Sequence, residues 1–347
     1  MKTVDIVFVT HLPAFYKVNL YNELAKRCRL FVIFIASASN IRTKDFTPSH
    51  FAFDYCIINE GAFEERIKLK SMMQLYRQLK VLDYQQIIVG GWDLWEFWLI
   101  AMFFPKKRNA LALESSIFES KTQGFAGSLK RFFLSRIQRV YCSGEAQRSL
   151  LQALSFNNDI KQTRGVGIFH YAMKNESAPK TFRGKFLYVG RLSPEKNLEN
   201  LVRFFAAFPQ YQLTLIGQGP LQQKLEVLAG TNVKLAGHVP NQALAEYYQS
   251  HDIFILPSLK EPWGLVIEEA LYYGLPVIAS NQVGAAKDFI THYQAGKLFE
   301  PSSVESFSEA LTWCIAHYAT LLANVSAIDF KARDEWQVAQ YLETVTS

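Results

Sequence analysis

Cysteine is scarce in this chain of 347 residues. The four present, Cys28, Cys56, Cys142 and Cys314, are scattered, and none forms a Cys-x-x-Cys pair. That excludes a thiolate zinc site and a disulfide framework, and it fits a reducing compartment. A cytoplasmic location is therefore expected. Long apolar runs are also missing. The most apolar stretch, residues 95–104, has ten residues, whereas a helix needs about 20 to cross a bilayer. It is expected to be a buried helix. Thr3 and Asp5 interrupt the N-terminal apolar run, which reads as a first strand and not as a signal peptide. No Asp-x-Asp pair occurs anywhere, so no metal and no other cofactor is expected. Glycine-rich turns lack the third glycine of a dinucleotide fingerprint. Acidic residues are short in one half only. Residues 1–170 hold 23 Lys and Arg against 14 Asp and Glu, a net of +9; the remainder holds 14 against 17, a net of −3.

What is present points to two ordinary α/β domains. Hydrophobic residues make up 49% and charged residues 20%, enough to build two cores. Short apolar runs alternate with longer helical patterns. In the first half, strands are expected at residues 4–10, 30–36, 86–89, 110–114 and 140–143. Helices are expected at 19–28, 67–79, 95–104, 127–138 and 144–154. In the second half, strands are expected at 186–189, 212–216, 233–236, 253–256 and 276–279, with helices at 198–208, 220–229, 242–250 and 265–273. Such alternation implies parallel sheets covered by helices. The beat breaks between residues 165 and 184, where Gly, Asn, Ser and Pro gather. This reads as a linker. The expected domains are 1–170 and 184–330, with a last helix at about 331–347 returning to the first.

In open α/β sheets, ligands bind beyond the carboxyl ends of the strands. The first strand of the second half runs into Gly190-Arg191-Leu192-Ser193-Pro194-Glu195-Lys196. Ser193 is placed to cap a helix opened by Pro194. Lys196 then falls in the first turn, where a cation opposes the helix dipole unless an anion is bound nearby. Arg191 and Lys196 thus suit a diphosphate, although a pair of solvated charges reads the same way. Gly217 and Gly219 permit a ligand close to the next strand-to-helix turn. The segment Pro257 to Ala270 is the most informative. Glu261 lies in its loop, Gly264 opens a helix, and Glu269 follows about one turn later. Backbone N–H groups at Gly264, Leu265 and Val266 can face an anion. Carboxylates accept sugar hydroxyls well. Glu268 reads as a surface charge.

Glu261 and Glu269, with seven residues between them and Ala270-Leu271-Tyr272-Tyr273-Gly274-Leu275-Pro276 after them, resemble the signature of family 4 glycosyltransferases. The elements Gly190-Arg191…Lys196 and Gly217…Gly219-Pro220 sit at the family's spacing. The resemblance covers residues 184–280. It implies a GT-B fold, two Rossmann-like domains whose parallel sheets face each other across a cleft, and transfer that retains the donor's anomeric configuration. Arg191 and Lys196 would neutralise the donor diphosphate and the leaving group. Glu261 would bind the transferring sugar, and Glu269 the ribose hydroxyls. Gly190, Gly217, Gly219, Gly264, Leu265 and Val266 would border the donor, and His238 and Val239 would lie by the nucleobase. The leaving phosphate would take the acceptor's proton, so the resemblance implies no dedicated base.

The first half resembles the family less. Its first loop reads Thr10-His11-Leu12-Pro13-Ala14-Phe15-Tyr16-Lys17 in place of a glycine-rich loop. His11, Asp93 and Glu114 all follow strands and are candidates for the acceptor side. Basic and aromatic residues cluster at 103–108 and 130–137, so an anionic membrane surface joins the expected partners. These are a nucleotide-sugar donor, UDP-linked by family frequency, and a glycan or lipid-linked acceptor. Nucleic acid is not expected, because no binding motif accompanies the charge. The last helix, residues 334–344, is expected to bury Trp336, Val338 and Tyr341. Alternatives are a sugar-nucleotide epimerase of the same fold, an oxidoreductase, and a non-catalytic binding protein.

Overall fold

The computed structural model describes residues 2–40, 50–168 and 181–343. Most of the expected linker therefore lies outside the described residues. The chain divides into two compact units, Met1–Tyr171 with Lys331–Ser347, and Ala172–Phe330.

The first unit holds strands β1 (Lys2–Thr10), β2 (Leu30–Ala38), β3 (Asp54–Ala62), β4 (Leu82–Val89), β5 (Asn109–Leu113), β6 (Arg139–Cys142) and β7 (Asp159–Gln162). They form one sheet in the order β3-β2-β1-β4-β5-β6-β7, parallel throughout. The connections use α1 (Phe15–Ala25), α2 (Lys68–Lys80), α3 (Trp95–Phe103), α4 (Gly124–Ser135) and α5 (Glu145–Ala153). Strand periodicity explains the two cores. Val7 and Val9 of β1 join Leu75, Phe97, Phe133 and Leu150 of α2 to α5 on one face. Ile6 and Phe8 join Val18 and Tyr21 of α1 on the other.

That second face is completed by α12 (Phe330–Leu342), whose Val338 and Tyr341 are buried in it. The Tyr341 ring lies 4.4 Å from that of Tyr141 and 5.4 Å from that of Phe8. Trp336 departs from expectation. It is 42% exposed, and its ring is covered on one side by the Arg164 guanidinium at 4.3 Å while its Nε1–H donates to the Gln162 carbonyl at 3.0 Å.

The second unit has six parallel strands in the order β10-β9-β8-β11-β12-β13. These are β8 (Lys185–Val189), β9 (Gln212–Ile216), β10 (Val233–Gly237), β11 (Ile253–Leu256), β12 (Val277–Ser280) and β13 (Gly296–Phe299). Helices α6 (Leu198–Ala206), α7 (Gln222–Leu228), α8 (Asn241–Ser250) and α9 (Leu265–Tyr272) alternate with them, and α10 (Val304–Ala316) and α11 (Tyr318–Ser326) follow. In α6 the buried residues Leu198, Leu201, Val202 and Phe205 fall at i, i+3, i+4 and i+7. Such a stripe docks a helix on a sheet.

Candidate donor site and the first-unit strand ends

In each sheet the strand order reverses beside the first strand. Ligands bind at such switch points. In the second unit the reversal lies between β8 and β11, and the motifs meet there. The loop after β8 supplies Lys196, the loop after β11 supplies Glu261, and the two side chains form an ion pair, both largely buried. Ser258 Oγ also donates to Glu261, at 3.4 Å. The loops are tied together by backbone, with Leu259 N–H donating to the Glu195 carbonyl at 2.8 Å.

Arg191 is different. Its side chain is 56% exposed and pairs with Glu195 at 3.0 Å. Residues Pro194–Lys196 form a single 3-10 turn and not the start of a long helix. Asn197 adopts left-handed backbone at φ 59°, its Nδ2 donates to the Pro301 carbonyl at 2.9 Å, and α6 begins only at Leu198. Ser193 turns its hydroxyl to Glu195 at 2.6 Å instead of capping the turn. Lys196 therefore stands just before the N-cap of α6 and not within its first turn. Its position is set by Glu261.

The glycine loops interlock. Gly190 N–H donates to the Ile216 carbonyl at 3.0 Å, Leu192 N–H to that of Gln218 at 2.9 Å, and Gly217 N–H to that of Gly237 at 2.8 Å. Gly217 has φ +135°, and a Cβ there would stand 1.9 Å from the Gly190 carbonyl oxygen. Gly217→Ala is thus expected to destabilise the fold by about 3 kcal/mol, lowering the unfolding midpoint by about 6–12 °C in calorimetry. An unchanged midpoint would contradict the interlock. His238 and Val239 follow β10 beside this turn, with His238 exposed.

Gly264 starts α9 in left-handed backbone at φ +96°, packed against Val283 and Leu256. Leu265 and Val266 complete the first turn. Glu269, one turn on, accepts from the Tyr248 hydroxyl at 2.9 Å. Burial pushes its carboxyl up to about 7, against the lowering effect of Tyr248. Glu268 is buried at 3% exposure, which corrects its reading as a surface charge. It lies on the inner side of α9, next to Ile267.

In the first unit the reversal lies between β1 and β4. His11 follows β1 and Asp93 follows β4, and they meet: His11 Nε2 lies 2.8 Å from Asp93 Oδ2. The Phe97 ring stands edge-on to His11 at 5.1 Å, and the Phe63 ring lies tilted to it at 5.9 Å. Burial pushes the Asp93 carboxyl up, but the hydrogen bond and charge of His11 outweigh it, with help from Lys17, and hold it below its usual value. His11→Ala is expected to raise the Asp93 titration midpoint, read by carboxyl-carbon NMR; a midpoint that stays or falls would deny the coupling.

Glu114, at the end of β5, pairs instead with Lys17 at 2.6 Å. Burial disfavours the Lys17 ammonium, yet the charges of Glu114 and neighbouring tyrosines hold its pKa well above the usual lysine value. Lys17, Glu114, Tyr21, Ser143 and Thr163 line a small cavity at the carboxyl ends of these strands. Lys17 was not singled out from sequence, because α1 begins at Phe15, four residues before the expected helix. That start places Tyr16 and Lys17 on a helix turned toward the strand ends.

Two doubly wound units in one chain, each with polar residues at a switch point, define the GT-B class of fold. Sucrose-phosphate synthase from Thermosynechococcus elongatus superposes with a TM-score of 0.74 over 99% of both chains at 18% identity. Anabaena HepE in complex with UDP and glucose superposes with a TM-score of 0.71, over 98% of this chain and 99% of that one, at 17% identity. Residues 172–324 match the family model described as glycosyl transferases group 1. In sequence, the chain is 36% identical over 140 residues to a sulfoquinovosyl transferase of Arabidopsis thaliana, covering 39% of this chain and 26% of that protein. It is 29% identical over 220 residues to a GDP-mannose-dependent alpha-mannosyltransferase of Mycolicibacterium smegmatis, covering 58% and 57%. The chain thus spans under two thirds of the length of these relatives.

Proposed function

We propose that this chain is a retaining glycosyltransferase. It moves a hexose-type sugar from a nucleoside diphosphate donor, UDP-linked in the favoured reading, to a glycan or lipid-linked acceptor in cell-surface polysaccharide synthesis. The observation that carries the reading is the meeting of Lys196 and Glu261 at the switch point of the second unit. A cation and a sugar-binding carboxylate stand there side by side. Breaking the bond to the diphosphate is the difficult step, so stabilising the departing oxyanion is the largest catalytic contribution. Lys196 and Arg191 supply it in place of a divalent cation. The anionic phosphate takes over part of the Lys196 charge from Glu261, whose carboxylate then accepts from a sugar hydroxyl. Glu269 holds the ribose hydroxyls, and Gly264 to Val266 bring backbone N–H groups to the donor. The leaving phosphate takes the acceptor's proton. The UDP held by HepE supports the choice of nucleotide, while the mannosyltransferase relative keeps GDP in view.

The test is a thermal-shift screen against UDP-, GDP- and ADP-sugars in EDTA. A donor at a hundredfold excess over its Kd stabilises the fold by about 2.7 kcal/mol. Stabilisation by one nucleotide class, followed by transfer to octyl glycosides, supports the reading. No response to any nucleotide would sink it in favour of a non-catalytic protein. Conversion of the donor sugar without an acceptor would favour an epimerase, and a response only with added metal would remove the metal-free mechanism.

A further inference from the structure

Three helices of the first unit share an unusual outer surface. On α2 the exposed residues Leu69, Met73 and Tyr76 fall at i, i+4 and i+7. On α4 the exposed residues Phe125, Leu129 and Phe132 repeat the same spacing, with Phe125 84% exposed. Between them α3 exposes Trp95 at its start and Met102 and Phe103 at its end, with Phe103 72% exposed. This spacing draws one stripe along a helix. Here the stripes face away from the core, because the opposite sides of the same helices are the buried ones: Leu75 and Leu79, Phe97 and Ile100, Phe133 and Leu134.

The three helices are neighbours. Tyr76 reaches the Phe104 ring at 5.9 Å, Trp98 stacks on Phe132 at 6.4 Å, and Arg136 Nε donates to the Ala101 carbonyl at 3.3 Å. The residues 95–104, expected from sequence to form a buried helix, are therefore buried on one side only. Most of the exposed large apolar side chains of the described residues lie on this surface or at its edges.

Its charge has one sign. Helix α2 carries Lys68, Lys70, Arg77 and Lys80 and no acid; α4 carries Lys130 and Arg131 and no acid. The single acid of α3, Glu96, is fully buried and paired with Arg66. Contiguous exposed apolar surface marks an interaction site. Apolar stripes flanked by cations suit the interface of an anionic lipid bilayer, which takes up the apolar side chains and neutralises the charge. A second copy of the chain suits it poorly. A two-fold contact would set these cations against their own copies.

We propose that the face formed by α2, α3 and α4 docks on anionic membrane, inserting Phe125, Phe132, Phe103 and Leu69 among the lipid headgroups. This extends the lipid-linked acceptor reading but stands on its own observations. It is tested without turnover, so either can fail alone.

The experiment is co-sedimentation of the full chain with POPC vesicles and with POPC/POPG (3:1) vesicles, at low and high salt. Binding is expected with POPG only and is expected to weaken with salt. The L69S/F125S/F132S variant should bind at least tenfold more weakly. The K68Q/K70Q/R77Q variant should lose about fivefold per charge at low salt. All six positions are exposed or flank the exposed stripes, and thermal unfolding checks that both variants fold. Three results would overturn the proposal. These are equal binding to POPC, no loss in either variant, and a lipid-free dimer that the apolar variant dissociates, which would make the face a self-association surface.

Discussion

Lys196→Ala is expected to lower kcat for sugar transfer by about 10²–10³, the loss seen when one preorganised oxyanion donor is removed. The reasoning starts from geometry. Lys196 is the cation held by Glu261 between the first and fourth strands of the second unit, where the diphosphate is proposed to sit. Arg191, exposed and paired with Glu195, is looser and should cost less when removed, about tenfold. Truncating Lys196 also leaves the Glu261 carboxylate without its partner in a largely buried place. Thermal unfolding must therefore accompany the assay. A Lys196→Ala/Glu261→Gln double variant separates the two effects, because it restores stability without restoring the cation. Transfer by Lys196→Ala within threefold of wild type would remove this residue from the mechanism.

The second large effect concerns Glu269. Burial raises its carboxyl from an ordinary 4.5 to about 7. Between those values the folded chain keeps a proton that the unfolded chain has lost. Stability should therefore fall as pH rises from about 5 to 7.5, by about 3 kcal/mol in total, and level off above. Glu269→Gln should flatten that slope, read as Tm against pH. A slope unchanged in the variant would place its origin elsewhere.

In the proposed donor site a nucleotide would add the opposite linkage. Two ribose hydroxyls donating to Glu269 would favour its charged form. Binding should release a proton and weaken about tenfold per unit of pH below 7. Glu269→Ala loses the acceptor altogether, and hydrogen bonds to a charged group are worth about 1.5–3 kcal/mol each. Its nucleotide affinity should fall by 100-fold or more in calorimetric titration. A loss under threefold would contradict the ribose role.

Why some of this was legible in the sequence, and some not, follows from the residues. The central strands are dominated by apolar residues, as sheets covered on both faces require, so β1, β2, β9 and β11 stand out despite Asp5 and Thr214. The edges do not. Strand β3 is half exposed and carries Asn59, Glu60 and Gly61, and β7 is the polar tetrapeptide Asp-Ile-Lys-Gln. Strand β13, Gly-Lys-Leu-Phe, has a similar fault at the edge of the second sheet. An edge strand needs no continuous apolar pattern, so periodicity alone passes it over.

The residues proposed for the donor side could be nominated from sequence because they come in fixed local spacings, within one loop or one helix turn. The pairings were not. His11 meets Asp93 across 82 residues, Lys17 meets Glu114, and Lys196 meets Glu261 across 65. Only the strand order brings these groups together, and no short window contains it. The outer face of α3 was misread for a related reason. Eight apolar residues in a row, 97–104, have no period by which to tell an inner side from an outer one.

The placement of α12 bears on how the chain is made. Its Val338 and Tyr341 close one face of a sheet whose other strands all lie within the first 162 residues. On the ribosome, the first unit must therefore wait with Phe8 and Tyr141 uncovered while the whole second unit is synthesised. Each large apolar side chain left in water costs about 1.5–3 kcal/mol. The first unit is thus begun before the second and completed after it, and its final packing step is set by the arrival of α12.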